Sequence, residues 1–310
     1  MSLRSHRSVL ISTCLAFTLL FLSCGKKEDA GQSQSEAQII QNSGSDTMVN
    51  VAQAWAEEYK NAAPNVSVEV SGGGSGTGIA ALINGTVDIA NCSRQMHADE
   101  IARAQQNTGK APQEFLVGFD ALAVYVHKDN PLTEISLQQL ADIYGEGATI
   151  NKWSQLGVTV PGCSNDEIIR VSRQSNSGTY EYFREALLGK SRDFALGSRD
   201  MNGSKDVVDL VANTACAIGY SGLGYNTPEV KMLKVAKTTG GTSYPPSVET
   251  TLDKTYPIAR PLFMYSLGVP TGAMQNYIDW IRSSAGQAVL ADVGYVPLPD
   301  SLQNSSAGKE

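Results

Sequence analysis

The sequence predicts an α/β fold built on mainly parallel sheet. Three observations lead there. Strand-like and helix-like runs alternate along most of the chain. Several strand ends pass through small hydroxyl and glycine residues straight into a helix. The 310 residues, 42% of them hydrophobic, can fill a sizeable core and two domains.

Residues 37–41 read as a short strand. Residues 47–60 read as a helix, because Met48, Val51, Ala52, Trp55 and Tyr59 recur at helical spacing, and Pro64 stops the run. Val66, Val68 and Val70 alternate as a strand, and a helix carrying Ile79, Leu82 and Ile83 ends at Asn84-Gly85. Residues 87–90 follow as a strand and 98–106 as a helix. The apolar run 119–126 reads as a strand leaving this first unit. A second unit holds a helix at 137–144, a strand at 168–171 and a helix at 180–188 with Tyr180, Phe183 and Leu187 on one face. A helical stretch at 207–211 and a strand at 217–220 complete it. Residues 261–265 form another strand-like run, placed to return the chain to the first unit. Residues 271–290 read as one long helical region with Tyr277, Ile278 and Ile281. No internal repeat is evident.

The formal charge is −7 and no basic stripe appears, so nucleic acid is an unsuitable partner. Arg4, His6 and Arg7 make a basic start and residues 9–22 an apolar run, short for a membrane-spanning helix and suited to a signal peptide. The run ends in Leu22-Ser23-Cys24-Gly25, which resembles the bacterial lipobox; that pattern makes Cys24 the lipidated first residue of the mature chain. Residues 1–23 are then a lipoprotein signal, 24–37 a polar, flexible tether and 303–310 a frayed tail. Of the five cysteines, Cys92, Cys163 and Cys216 remain after Cys14 and Cys24 are accounted for, without metal-ligand spacing. Cys92 reads as a small apolar filler. His97 and His127 stand apart from any acidic cluster and read as surface residues; no metal or other cofactor is expected.

Four strand-to-helix turns carry the chemistry: Ser43-Gly44-Ser45-Asp46-Thr47-Met48, Gly72-Gly73-Gly74-Ser75-Gly76-Thr77-Gly78, Asn91-Cys92-Ser93-Arg94-Gln95 and Arg173-Gln174-Ser175-Asn176-Ser177-Gly178-Thr179. Each offers backbone N–H groups and hydroxyls where a helix dipole favours negative charge, and together they suggest a desolvated cage for a small oxyanion. The glycine-rich turn lacks the lysine of a P-loop and the spacing of a dinucleotide site. Arg173 adds a planar cation able to grip two oxygens, while Ser177 equally well caps the following helix. Arg94 can contact the anion or pair with a carboxylate such as Asp88 or Asp46. Ser43 to Thr47 can also be a helix cap, with Asp46 favouring the helix start. No Gly-x-Ser-x-Gly elbow or metal cluster supports a hydrolase.

Taken in order, Gly44-Ser-Asp-Thr-Met, Gly74-Ser75-Gly76, Asp88-Ile-Ala-Asn-Cys-Ser93-Arg94, Arg173-x-x-x-Ser177-Gly178-Thr179, Ala217-Ile-Gly-Tyr220 and Tyr256-Pro-Ile-Ala-Arg-Pro-Leu262 resemble the PstS-type phosphate-binding proteins, the extracytoplasmic receptors of phosphate ABC importers. The resemblance spans residues 38 to 300. It implies a two-lobed type II periplasmic-binding-protein fold with two hinge strands, at 119–126 and 258–267, and an interlobe ligand cleft. Lobe 1 would be 38–120 plus 263–302 and lobe 2 would be 121–262. Cys163 and Cys216 then share a lobe and can pair. Phosphate contact is implied at Thr47, the N–H of Met48, Ser75, Ser93, Arg94, Arg173, Ser177, the N–H of Gly178, and Thr179. The best-known members place an Asp directly after the serine matching Ser93, to accept the proton of the phosphate ion; Arg94 stands there in this chain, and Asp46, beside Thr47, is the proposed replacement. The resemblance implies no catalysis, a monomer, an ABC permease as partner and a lipid anchor holding the protein at the extracytoplasmic face of a bacterial membrane. The alternatives are a receptor for sulfate, molybdate or arsenate, a secreted phosphatase, or a surface sensor on the same fold.

Overall fold

A computed structural model describes residues 37–303; the expected signal, the expected lipidation at Cys24 and nearly all of the expected tether, together with residues 304–310, lie outside the described residues. The chain opens with β1 (Gln38–Gly44), α1 (Val49–Ala62), β2 (Val66–Ser71), α2 (Ser75–Ile83), β3 (Ile89–Cys92), α3 (Ala98–Thr108) and β4 (Pro112–Ala121). It continues through β5 (Ala123–His127), β6 (Glu134–Ser136), α4 (Leu137–Tyr144), β7 (Ile169–Arg173), α5 (Gly178–Leu188), β8 (Arg199–Met201), α6 (Ser204–Ala212) and β9 (Ala217–Ser221). The short β10 (Val230–Met232), β11 (Lys234–Ala236), β12 (Ser243–Tyr244) and α7 (Val248–Leu252) precede β13 (Ala259–Leu267), α8 (Gly272–Ile281) and α9 (Ser284–Asp292).

Two five-stranded sheets carry the two lobes, in the orders β2-β1-β3-β13-β4 and β10-β5-β9-β7-β8. In the first, β1 runs parallel to β2 and β3, whereas β13 is antiparallel to β3 and β4. In the second, β7 is parallel to β8 and β9, whereas β5 is antiparallel to β9 and β10. The antiparallel members flank the two crossings between the sheets. The apolar run 119–126 is therefore two strands, broken at Leu122, where the chain leaves one sheet for the other. The second crossing lies beside it: the Leu122 N–H donates to Ile258 O at 3.0 Å, and the Tyr256 hydroxyl donates to Leu122 O at 2.7 Å.

The helix phases are those expected from the apolar spacing. Met48, Val51, Trp55 and Tyr59 pack with Tyr277, Ile278, Ile281 and Leu290 on one face of the first sheet. Ile79, Leu82, Cys92 and Phe263 fill its other face. The second sheet packs Tyr144, Trp153, Phe183 and Tyr220 on one side and Val171, Val207, Val208 and Val211 on the other. The expected long helix over 271–290 is two, because the chain turns at Arg282-Ser283 before α9.

Cys163 and Cys216 form a disulfide with Cα atoms 5.0 Å apart. Closing its 53-residue separation contributes about 4 kcal/mol by loop entropy. Cys92 is free and fully buried, and burial pushes its thiol well up, as suits an inert filler. Among the described residues no helix is long and apolar enough to cross a membrane.

Candidate functional site

The polar turns at the ends of β1, β2, β3 and β7 meet between the sheets, and the hydroxyls that face inward are buried: Ser45 2%, Thr47 0%, Ser75 0%, Ser93 1%, Ser177 3% and Thr179 1% exposed. Thr47 Oγ1 lies 2.6 Å from Thr179 Oγ1 across the cleft. Ser75 Oγ accepts the Ser93 N–H at 3.1 Å, and Ser93 Oγ accepts from Ser45 Oγ at 3.0 Å. The first turns of α2 and α5 face one another here. The Gly76 N–H donates to Asn176 O at 3.0 Å, and the Asn176 amide reaches back to Gly73 O at 2.8 Å. Two helix N-termini thus bring their positive dipole ends together between the lobes.

Glycine is required at the closest approaches. A Cβ on Gly178 would stand 2.5 Å from Ser75 Oγ and 2.9 Å from Ser93 Oγ. Gly74, at φ +95°, leaves room for Asn176 O, which a Cβ would meet at 2.6 Å.

Arg173 is 1% exposed. Its Nη2 donates to Asp46 Oδ2 at 2.7 Å and to Asn202 O at 2.8 Å, its Nη1 to Ser204 Oγ at 3.0 Å and its Nε to Met201 O at 3.3 Å. These contacts use four of its five N–H donors. Burial draws the guanidinium below its ordinary pKa, against the Asp46 charge. The other Asp46 oxygen accepts the Gly73 N–H at 2.8 Å, so this carboxylate ties the first two turns to Arg173 rather than capping α1. Ser177 does cap α5, accepting the N–H groups of Thr179 at 3.2 Å and Tyr180 at 3.4 Å.

Two expected contact residues are committed to the protein itself. The Met48 N–H donates to Ser45 O at 2.9 Å. Arg94 takes neither of its two expected carboxylate partners: Asp88 accepts the Gln41 N–H and Asp46 holds Arg173. It forks onto Glu100 through Nη1 and Nη2, both at 2.8 Å, and its Nε meets Glu181 Oε2 at 2.7 Å. His97 is exposed, as expected of a surface residue, and places Nε2 2.5 Å from Glu181 Oε1. The Arg94 loop and α5 are thereby joined beside the cage, along a cleft of about 470 Å³ lined by Arg94, His97, Glu181, Tyr182, Lys190 and Arg260.

Sequence reasoning named Arg260 only within a family motif and gave neither it nor Asp120 a place in the site. They are 1% and 0% exposed, and Arg260 Nε and Nη2 donate to Asp120 Oδ2 at 3.1 and 2.8 Å. The available signal was one charge inside each of two otherwise apolar runs, Phe119-Asp120-Ala121-Leu122 and Arg260-Pro261-Leu262-Phe263. Among the described residues, no group of three or more His, Cys, Asp or Glu could hold a metal ion.

Two α/β lobes joined by paired crossings, with a buried polar cleft between them, define a type II periplasmic binding protein. The chain belongs to the PBP superfamily, whose domain model matches residues 30–285, and within it to the PstS family. It is 36% identical over 266 residues to the phosphate-binding protein PstS of Pseudomonas aeruginosa, covering 83% of this chain and 82% of that protein. It is 33% identical over 281 residues to the protein SphX of Synechococcus elongatus, covering 86% and 80%. Among solved structures, a substrate-binding protein from Clostridium perfringens with bound phosphate superposes with a TM-score of 0.74 at 28% identity, over 84% of this chain and all of that one. An ABC-type phosphate transport receptor from Vibrio cholerae gives 0.65 at 28% identity, with 84% of this chain and 100% of that one covered.

Proposed function

We propose that this chain captures inorganic phosphate between its lobes and delivers it to an ABC permease for import, with no chemistry on the ligand. The observation that carries this reading is the convergence of Thr47, Ser75 and Ser93 with Arg173, Ser177, Gly178 and Thr179 on two facing helix N-termini. The relatives' names and the phosphate held by the Clostridium perfringens protein support it.

The chemistry suits a tetrahedral anion. Hydroxyls and amides can surround four oxygens, and the remaining Arg173 donor adds charge at one side. Each buried arginine in the cage already faces a carboxylate, Arg173 with Asp46 and Arg260 with Asp120, so the site gains little net positive charge. An ion that brings its own proton tolerates these carboxylates; one without a proton leaves charge against charge. Asp46 is the proposed acceptor. Met48 and Arg94 act around the donor set, Met48 by fixing the turn that presents Thr47 and Arg94 through its ion pairs at the rim.

Titration calorimetry with phosphate, sulfate, molybdate and arsenate tests the ligand. Tight phosphate binding with weak sulfate binding supports the reading, and no heat with phosphate refutes it. The reading also places the protein as a monomer on the extracytoplasmic face, held through lipid on Cys24. Labelled fatty acid should enter the wild-type chain and not Cys24→Ala; equal labelling would discard the anchor.

A further inference from the structure

Arg260 stands at the junction of hinge and cage. It follows the second crossing on β13 and pairs in register with Asp120 on β4. Its plane is held from several sides: Asp120 Oδ2 accepts two of its N–H bonds, and its Cζ lies 5.4 Å from the centre of the Tyr182 ring, whose hydroxyl donates to Ala259 O at 2.7 Å. The second Asp120 oxygen accepts the Leu223 N–H at 2.9 Å. The remaining Arg260 contacts divide evenly between the lobes. Nη1 reaches Ser93 O at 3.2 Å in one and Gly178 O at 3.4 Å in the other. Nη2 reaches Thr47 Oγ1 at 3.2 Å in one and Thr179 Oγ1 at 2.9 Å in the other.

We propose that Arg260 is a positioning residue for anion capture: a hinge-borne guanidinium that gathers one hydroxyl and one carbonyl from each lobe and fixes the direction in which Thr47 and Thr179 donate. This rests on the function proposed above. A guanidinium has donors and no acceptor, so each threonine oxygen facing it must accept. The threonine hydrogens are thereby turned away from Arg260. One of them closes the 2.6 Å bond between the two hydroxyls; the other is left directed where an oxyanion between the lobes can accept it. The four acceptors come within reach of one side chain only when the lobes are together, so Arg260 also rewards closure.

Asp120 cancels the charge of Arg260, and this separates positioning from attraction. A cation that steers an anion acts on the association rate and weakens with salt. A neutralised pair that arranges hydroxyls acts on the dissociation rate of the closed complex. Lysine cannot replace the function, because one ammonium cannot span Asp120 and four further acceptors in a plane.

The test uses the purified wild-type chain, Arg260→Lys and the double variant Asp120→Asn with Arg260→Met. The double variant removes the buried pair together and keeps an Asn oxygen for the Leu223 N–H, which protects folding. Inorganic phosphate is titrated calorimetrically and its kinetics followed by stopped-flow at two salt concentrations, with thermal unfolding measured without phosphate. Both variants should melt cooperatively and bind phosphate at least about tenfold more weakly, with the loss in the dissociation rate and an unchanged salt slope. A folded variant that binds within about twofold of wild type overturns the inference, as does a loss confined to a salt-dependent association rate. Absence of phosphate binding by the wild type is a separate result; it refutes the proposed function and this inference falls with it.

Discussion

Asp46 and Arg173 meet across the cleft with 2.7 Å between Oδ2 and Nη2, and this contact sets the charge balance of the proposed cage. The guanidinium is almost wholly buried, and its Nε and Nη2 also donate to the carbonyls of Met201 and Asn202. Arg173→Ala should weaken phosphate binding by at least ~2 kcal/mol, about thirtyfold, because it removes a desolvated charge contact and leaves Asp46 unpaired. Calorimetry reads this directly. A loss well under tenfold would place the guanidinium outside the anion's reach.

Asp46→Asn keeps the shape of the residue and removes its charge. In the proposed site that change frees Arg173 to act as an uncompensated cation and takes away the acceptor for the ligand's proton. The ratio of phosphate to sulfate affinity should fall by about tenfold or more, chiefly through stronger sulfate binding. An unchanged ratio would give the acceptor role to another group.

Gly178 backs onto Ser75 and Ser93 from the other side of the cleft. Gly178→Ala forces a methyl group to 2.5 Å from Ser75 Oγ, and the nearest atoms it meets, on Ser75 and Ser93, all lie across the cleft. Phosphate affinity should drop at least about tenfold, ~1.4 kcal/mol, while the ligand-free melting temperature moves little. A large fall in melting temperature with intact affinity would mean that the contact supports folding rather than closure.

Much of this was legible in the sequence because it is local. The helix face of Val51, Ala52, Trp55 and Tyr59 follows from spacing alone, and the hydroxyl-rich turns announce themselves at strand ends. The break at Leu122 does not, since both halves of the run are buried and apolar and only the direction of the backbone changes. The strands β6, β8, β10, β11 and β12, of two or three residues each, are too short to show a period. The turn at Arg282-Ser283 was signalled by serines that also fit an exposed helix face. The partners of Arg94 and Arg260 were beyond reach for a different reason. Glu181 and Asp120 lie far away along the chain; Glu100 is only six residues from Arg94, but a charge has no periodicity that names its partner.

Glu181 binds the two lobes through Arg94 Nε at 2.7 Å and His97 Nε2 at 2.5 Å. The Glu181 and Arg94 side chains are 21% and 11% exposed, so the pair is partly screened by water and modest in strength. Because it joins surfaces that separate when the cleft opens, its loss should act on release. Glu181→Gln should raise the phosphate dissociation rate about three- to tenfold with little change in association, and added salt should narrow the difference between the proteins. Equal dissociation rates in stopped-flow at low salt would confine the pair to a surface decoration.

Glu100 offers the pH test. Burial on its own would raise the carboxyl, but the two Arg94 bonds, the His97 N–H at 2.8 Å and the neighbouring positive charge outweigh it and hold the group below its ordinary value of 4.5. A carboxyl lowered on folding binds its proton more readily in the unfolded chain. The carboxylate therefore stabilises the fold above its unfolded-state pKa, and that contribution disappears as pH falls through the folded-state value. Glu100→Gln removes the charge and keeps an acceptor for His97. It should cost about 2 kcal/mol at neutral pH, measured by denaturant unfolding, through the loss of bonds to a charged group. The gap to wild type should then close on acidification below the ordinary carboxylate range, because the wild-type residue becomes neutral as well. Unfolding curves that stay equally far apart from neutral to acid would show that Glu100 stabilises this corner by packing, with its charge immaterial.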